Sequence, residues 1–189
     1  MGTLKIKLPE IAFRYKATAA YKPLYEMLHD WFIENGYQDL TDNKDSFMEP
    51  FYSHEESGST YVMNIWWRFK KPSSNSRITY KINMEYLGVA VSDVEVQFKD
   101  KKIKAQKGEL NIFINGTVEL DYGKEWDKSW FMKLFLEFFK RRVWIKEMEM
   151  HKKILLDEVN KLYSIIKMYF ELYQYTPEKQ LFHEPKGYE

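Results

Sequence analysis

The sequence predicts an α+β fold, in which an antiparallel β-meander carries one N-terminal helix and a long C-terminal helical segment packed on the sheet. Three observations predict it. Apolar and polar residues alternate through most of residues 60–122, which is the period of a half-buried strand. One short amphipathic stretch, residues 23–35, begins at a proline and ends before a glycine. Residues 124–175 contain neither glycine nor proline, which permits one very long helix or two joined helices.

The N-terminal residues predict a strand, a break and a helix. Residues 4–8 alternate apolar side chains with lysines until Pro9 stops the strand, and residues 13–15 continue the pattern beyond the break. Pro23 suits the first turn of a helix, and Gly36 suits its C-terminal end. The leucine and aromatic residues between them give this helix one apolar face.

The central residues predict the strands of the meander. Residues 47–54 contain a proline, which sheets tolerate at an edge. Residues 60–70 and 77–87 alternate strongly, and the turn residues between them predict a hairpin. Two shorter strands within residues 94–105 and a last, longest strand at residues 110–122 complete the sheet.

The register of the predicted hairpin follows from the symmetry of its turn. A symmetric turn places Trp67 opposite Tyr80 and Ile65 opposite Ile82. Trp66 then falls on the polar face of its strand. There it is either covered by the C-terminal helix or exposed as a binding platform. Because long helices commonly pack on one face of a sheet, we expect the helix to cover Trp66.

The long C-terminal stretch has two parts. Residues 130–139 are apolar except for two charged side chains, so protein or lipid must cover them nearly all round. From residue 144 to residue 173, apolar residues recur at alternating steps of four and three, a heptad seam that favours packing against another helix or along a sheet. His151 interrupts this seam, and we interpret it as a polar residue that sets the register of packing rather than as a metal ligand.

A charged run at residues 140–153 lies between the two parts. We interpret it as a solvated face with internal salt bridges. The alternative is a basic collar at Lys140, Arg141 and Arg142, which would lie with the aromatic segment before it at an anionic membrane surface.

The element order of strand, helix, antiparallel meander and long helix resembles the helix-grip fold of START and polyketide-cyclase-like proteins. In those proteins the last helix lies across a curved sheet and closes an apolar cavity. The resemblance implies a cavity lined here by Trp67, Tyr80, Ile82 and Tyr86. The sequence departs from the pattern, because one helix replaces the usual pair of short helices and the final helix is longer. Residues 64–68 and the charged run are also similar to uncharacterised archaeal hypothetical proteins, a likeness that brings no function.

Composition limits the classes of function. A net charge of +1 argues against a dedicated nucleic-acid binder. The absence of cysteine excludes disulfides, thiol nucleophiles and cysteine metal sites. None of the four histidines has a partner at catalytic or metal-ligand spacing. The sequence therefore predicts no catalytic residue, metal or cofactor, and a binding protein more than an enzyme. The first residues form no apolar signal core, which predicts a cytoplasmic location.

Three functions stay open from the sequence. The first is a non-catalytic binding or assembly protein whose C-terminal helix associates with a protein partner or a second copy. The second is a helix-grip-like carrier of an apolar small molecule or lipid, and the third is a peripheral membrane protein. The candidate interaction surface comprises Trp66, Arg68, Lys140, Arg141, Arg142, Leu155, Leu162 and Ile166.

The predicted organisation has three regions. Residues 1–125 form the sheet domain with its N-terminal helix, residues 126–175 form the long helical segment, and residues 176–189 form a flexible tail.

Overall fold

Two helices of the described residues pack on one antiparallel sheet in the computed structural model of this chain, which confirms the predicted α+β class. Of the 189 residues, the structure describes residues 3–39, 49–73, 77–98, 101–121, 138, 142 and 144–172. The two helices are α1 (Tyr21–Glu34) and α2 (Ile145–Leu172). The strands are β1 (Thr3–Lys7), β2 (Ile11–Ala19), β3 (Gln38–Asp39), β4 (Phe51–Ser57), β5 (Thr60–Pro72), β6 (Ile78–Phe98) and β7 (Lys101–Asp121).

The sheet is built around the two longest strands, β6 and β7. β1 and β2 both pair with the outer edge of β7, while β3 and β4 both pair with the outer edge of β5. β1 and β2 thus act as one strand interrupted at Pro9, as predicted. The amide of Leu8 donates a hydrogen bond to the carbonyl of Gly116 (2.9 Å), so the chain keeps contact with β7 through the interruption.

The predicted helix α1 is confirmed with nearly the expected limits. Pro23 lies in its first turn, and Asn35 follows its last residue. Gly36 has a φ of 77°, a left-handed conformation that glycine adopts without a steric penalty. Local sequence signals suffice here because both ends of the helix depend on the conformational limits of single residues.

The register of the β5–β6 hairpin differs from the symmetric prediction, which was wrong. Trp67 pairs with Met84 instead of Tyr80, and Ile65 pairs with Tyr86 instead of Ile82. The prediction placed Pro72 in the turn, but Pro72 is the last residue of β5. The turn therefore begins later in the chain than predicted. The displacement is an even number of residues, so every apolar side chain keeps its predicted face.

The strands β6 and β7 are longer than predicted, because each joins two stretches that the sequence separates. The joint in β6 is a bulge between Val89 and Ser92, where Ala90 has a φ of 50°. A Cβ at Gly108, on the strand opposite, would lie 2.9 Å from the Cα of Val91, so only glycine fits there. Gly88 in β6 and Gly108 in β7 interrupt the alternation of apolar and polar residues. The sequence therefore predicts two strands where the structure has one bent strand.

Both helices lie side by side on the same face of the sheet. Phe69, Ile82 and Gly116 stand in a row across β5, β6 and β7 on this face. Phe32 of α1 stacks on Phe69 with ring centroids 3.7 Å apart. A Cβ at Gly116 would lie 3.3 Å from a methyl group of Leu155 in α2, so the glycine lets this helix come close to β7.

The seam of α2 is buried against the sheet. Its members have at most 5% exposure, and they are Met148, His151, Leu155, Val159, Leu162, Ile166 and Tyr169. Sheet and helix therefore share one hydrophobic core. The predicted helical segment, residues 126–175, contains α2, and its residues 126–137, 139–141, 143 and 173–175 lie outside the described residues. The predicted tail, residues 176–189, also lies outside them.

Coverage of Trp66 by the C-terminal helix was predicted and is wrong. Trp67 faces the helices and is 1% exposed, whereas Trp66 lies on the opposite face and is 36% exposed. Successive side chains of a strand point to opposite faces, so a helix that covers one of these residues leaves the other uncovered. In the described part of the chain, no helix is long and apolar enough to cross a membrane.

Candidate functional site

A cavity of about 280 Å³ lies between the start of α1 and the helix-covered face of the sheet. Its apolar wall comes from α1, β5 and β7 and consists of Leu24, Met63, Ile65 and Leu110. Five tyrosines from α1, β4, β5 and β6 also line it, namely Tyr21, Tyr25, Tyr52, Tyr61 and Tyr86. The remaining lining residues are Lys22, Glu49 and Gln106. The cavity is thus aromatic and apolar, with a few polar groups.

Glu49 is the acidic residue that lines the cavity. Its Oε2 atom accepts a hydrogen bond from the hydroxyl of Tyr25 (2.7 Å) and another from the indole Nε1 of Trp67 (3.1 Å). Tyr25 lies in the second turn of α1, and Trp67 lies in the middle of β5. The two donors hold the carboxylate at the point where the helix meets the sheet.

Two tyrosine hydroxyls of the cavity wall are buried without a hydrogen-bond partner. They are the hydroxyls of Tyr21 and Tyr86, and neither forms a hydrogen bond with any described residue. Tyr86 is only 3% exposed. An unsatisfied buried polar group costs about 1–3 kcal/mol, so burial of these hydroxyls opposes the stability that the aromatic rings contribute.

Four of the tyrosine hydroxyls of the cavity wall, those of Tyr21, Tyr25, Tyr61 and Tyr86, stay protonated at neutral pH. Burial raises the pKa of Tyr61 to about 12, with a further contribution from nearby Asp93. Burial likewise raises the pKa of Tyr21, Tyr25 and Tyr86 far above the usual value for tyrosine. Each of these hydroxyls can therefore donate one hydrogen bond and accept others.

A polar chain along the rim ties α1 to the sheet. The residue before α1 is alanine, whose side chain provides no cap, and the first amide of the helix donates instead to Oε1 of Gln106 in β7 (3.0 Å). Gln106 donates in turn to Asp93 of β6 (2.9 Å), which also accepts a hydrogen bond from Tyr61 (3.3 Å). The hydroxyl of Tyr169 in α2 donates to the carbonyl of Ala20 (2.6 Å). The start of α1 is thereby held over the cavity.

A second polar cluster joins α2 to the sheet away from this cavity. The hydroxyl of Tyr80 lies 2.5 Å from Nδ1 of His151. Glu158 accepts hydrogen bonds from Tyr37 (2.5 Å) and from Lys71 (2.7 Å). These contacts satisfy the polar groups of the buried seam, as packing of α2 requires.

The four residues of the predicted ligand cavity are buried on one face of the sheet, but only Tyr86 lines this cavity. Trp67 stands behind Glu49 and holds it. Tyr80 contacts His151, and Ile82 is fully buried in the core.

The predicted interaction surface is not one surface. Trp66 and Arg68 are neighbours on the outer face of β5, where the guanidinium carbon lies 5.3 Å from the indole ring. The seam residues Leu155, Leu162 and Ile166 are fully buried under the sheet, so a partner would reach them only if α2 left it. Arg142 is exposed, and residues 140 and 141 lie outside the described residues.

Sequence reasoning missed Glu49 and the tyrosines of α1. Tyr21 and Tyr25 share a helix face with the apolar Leu24 and Leu28, and that spacing was a usable signal for a shared site. The sequence did not indicate a role for Glu49 in a cavity, because this residue follows an acidic, turn-rich stretch whose carboxylates are predicted to be solvated.

Comparison with protein-family models, with curated proteins and with solved structures found no match to this chain. Among the described residues, no group of three or more histidine, aspartate or glutamate side chains is placed to hold a metal ion.

Proposed function

We propose that this protein binds a small molecule in the cavity between α1 and the sheet, as a carrier or receptor. The cavity itself carries the proposal, since it combines an apolar wall with a few polar groups that converge on one space. That combination is typical of small-molecule sites. The element order, which resembles the helix-grip layout, also supports a ligand site, although none of the described lining residues belongs to α2.

The size of the cavity limits the ligand. Ligand sites usually have volumes of about 300–1,000 Å³, and this one, at about 280 Å³, is near the lower end. A molecule with one ring and a short chain fits such a space, whereas a long acyl chain does not. Among apolar ligands, the proposal therefore favours a small aromatic or aliphatic compound over a lipid.

The assembly hypothesis stays a prediction with less support. It rested on an apolar stripe of the C-terminal helix that needs a partner, and the sheet of the same chain covers that stripe from Met148 to Phe170. The membrane-surface hypothesis also stays a prediction, since most of the segment on which it rests lies outside the described residues.

The test fills the cavity and measures binding. Met63 of β5 lines the cavity, and its neighbour Val62 is 36% exposed on the other face of the strand. We expect isothermal titration calorimetry to detect binding of a small aromatic panel, 2-phenylethanol, phenethylammonium and 3-phenylpropanoate. Met63→Trp should abolish that binding, whereas Val62→Trp should preserve it.

The same panel gives an independent readout on stability. A ligand at about 100 times its Kd raises the free energy of unfolding by about 2.7 kcal/mol, which shifts the melting temperature of the wild-type protein. Far-UV circular dichroism of both tryptophan variants shows whether they fold. The proposal fails if no member of the panel binds, or if folded Met63→Trp binds as tightly as the wild type.

A further inference from the structure

The cavity holds a carboxylate that lacks a cationic partner. The Oε2 atom of Glu49 receives the donors from Tyr25 and Trp67, and both of those donors are neutral. Within the described chain, no lysine, arginine or histidine forms an ion pair with Glu49. The side chain of Glu49 is partly exposed, so solvent and two neutral donors stabilise its charge, and a cation that enters the cavity can pair with it.

Lys22 lines the same cavity and does not supply that charge. Its ammonium group lies 3.8 Å from Glu26, one helical turn along α1, and its side chain is 85% exposed. It therefore belongs to the solvent-facing side of the helix. Lys22 therefore leaves the carboxylate of Glu49 open to a cationic ligand.

The groups around Glu49 also suit a cation. The side chain of Tyr86 lines the cavity, and Glu49 is close enough to contribute to the raised pKa of its hydroxyl, after burial and Tyr25. Tyrosine rings attract cations through the negative potential of their faces, and five of them line this cavity.

We propose that the ligand of this cavity is a small organic cation, a primary ammonium group on an apolar body. The ammonium group binds the carboxylate of Glu49, and the body lies against Met63, Ile65 and Leu110. This inference rests on the proposed function and narrows it to one chemical class. A carboxylate ligand would be repelled by Glu49, and a neutral alcohol would leave its charge uncompensated.

The head-group comparison tests this inference on the wild-type protein. Phenethylammonium, 2-phenylethanol and 3-phenylpropanoate share a phenyl ring and a short chain and differ in charge. We expect calorimetry to show phenethylammonium binding at least about tenfold more tightly than the alcohol, with the carboxylate weakest, because only the ammonium compensates Glu49.

Two variants assign the effect to residues. Glu49→Gln keeps the shape of the side chain, and it should weaken phenethylammonium binding by at least about tenfold while changing 2-phenylethanol binding by less than about threefold. Glu56→Gln, an exposed carboxylate of β4, makes the same charge change outside the cavity and should alter neither affinity.

The outcomes separate this inference from the proposed function. If the alcohol or the carboxylate binds as tightly as the ammonium and Met63→Trp abolishes that binding, the cavity is a binding site and the cationic class is wrong. If Glu49→Gln folds and leaves the affinity for phenethylammonium unchanged, the inference is overturned. Should Glu49→Gln fail to fold, the comparison of the three head groups on the wild-type protein still decides, and absence of binding by all three compounds overturns both proposals.

Discussion

At the scale of single residues, two adjacent tryptophans have opposite environments. Trp67 is 1% exposed and lies within a cage of rings, with Tyr25 at 4.7 Å and Tyr86 at 5.0 Å between centroids. Trp66 contacts Phe51 at 4.5 Å on the other face and is 36% exposed. The same residue type thus contributes to the core at one position and to the surface at the next.

We predict that Trp67→Ala lowers the free energy of unfolding by about 3–5 kcal/mol, because it removes a buried aromatic ring and leaves a cavity. It also removes the indole donor of Glu49. Trp66→Ala is the matched control and should cost less than about 1 kcal/mol, as is usual for a partly exposed position. Urea denaturation of both variants measures the difference, and equal losses would contradict the assignment of faces.

At the scale of elements, the seam of α2 is completed by the sheet of its own chain. Leu155, Leu162 and Ile166 are each fully buried, and Phe170 at the end of the helix stacks on Phe13 and Tyr15 of β2. A heptad pattern usually signals a partner helix, yet a sheet face offers an equivalent apolar surface. The pattern predicts burial and does not specify the partner.

We predict that Leu162→Ala lowers the free energy of unfolding by about 2–5 kcal/mol, the usual loss for a buried leucine. The loss should be the same across a wide range of protein concentrations, since the seam is buried within one chain. If the seam were an interface between copies, stability would rise with concentration. Met168→Ala, at a position that is 55% exposed on the same helix, is the control and should cost little.

At the scale of the whole molecule, buried tyrosines connect both helices to the sheet. Tyr21 and Tyr25 belong to α1, Tyr86 belongs to β6, and Tyr37 links the residues after α1 to Glu158 of α2. Burial raises the pKa of each of these hydroxyls. The folded protein therefore keeps protons that the unfolded chain loses above about pH 10.

We predict that the free energy of unfolding is constant from neutral pH to about pH 10 and then falls as pH rises. The sign follows because a raised pKa in the folded state means that the folded protein binds more protons in this range. Urea denaturation as a function of pH measures the fall, and the part of the tyrosinate absorbance that belongs to these four residues should appear only with loss of structure. If all 14 tyrosines ionised near pH 10 while the protein stayed folded, the burial of these side chains would be contradicted.

Much of the architecture followed from the sequence alone. Alternation in β5 and β6 identified the apolar face that carries Ile65 and Trp67, and the steps of four and three identified the buried stripe of α2. The limits of α1 followed from Pro23 and Gly36. These features are local, because each depends on backbone geometry and on residues within a few positions of one another.

Tertiary structure decided the register of the hairpin, the partner of the α2 seam and the cavity. The register depends on whether Pro72 belongs to the turn or to β5. Hydrophobic periodicity does not distinguish these two arrangements, whereas the pairing of the strands does. The cavity exists where packing between α1 and the sheet is incomplete, and it brings Glu49 to Tyr25 and Trp67 from separate parts of the chain. Hydrophobic periodicity shows which side chains are buried. A cavity between elements depends on how α1, β5 and β7 pack together, which no short stretch of sequence encodes.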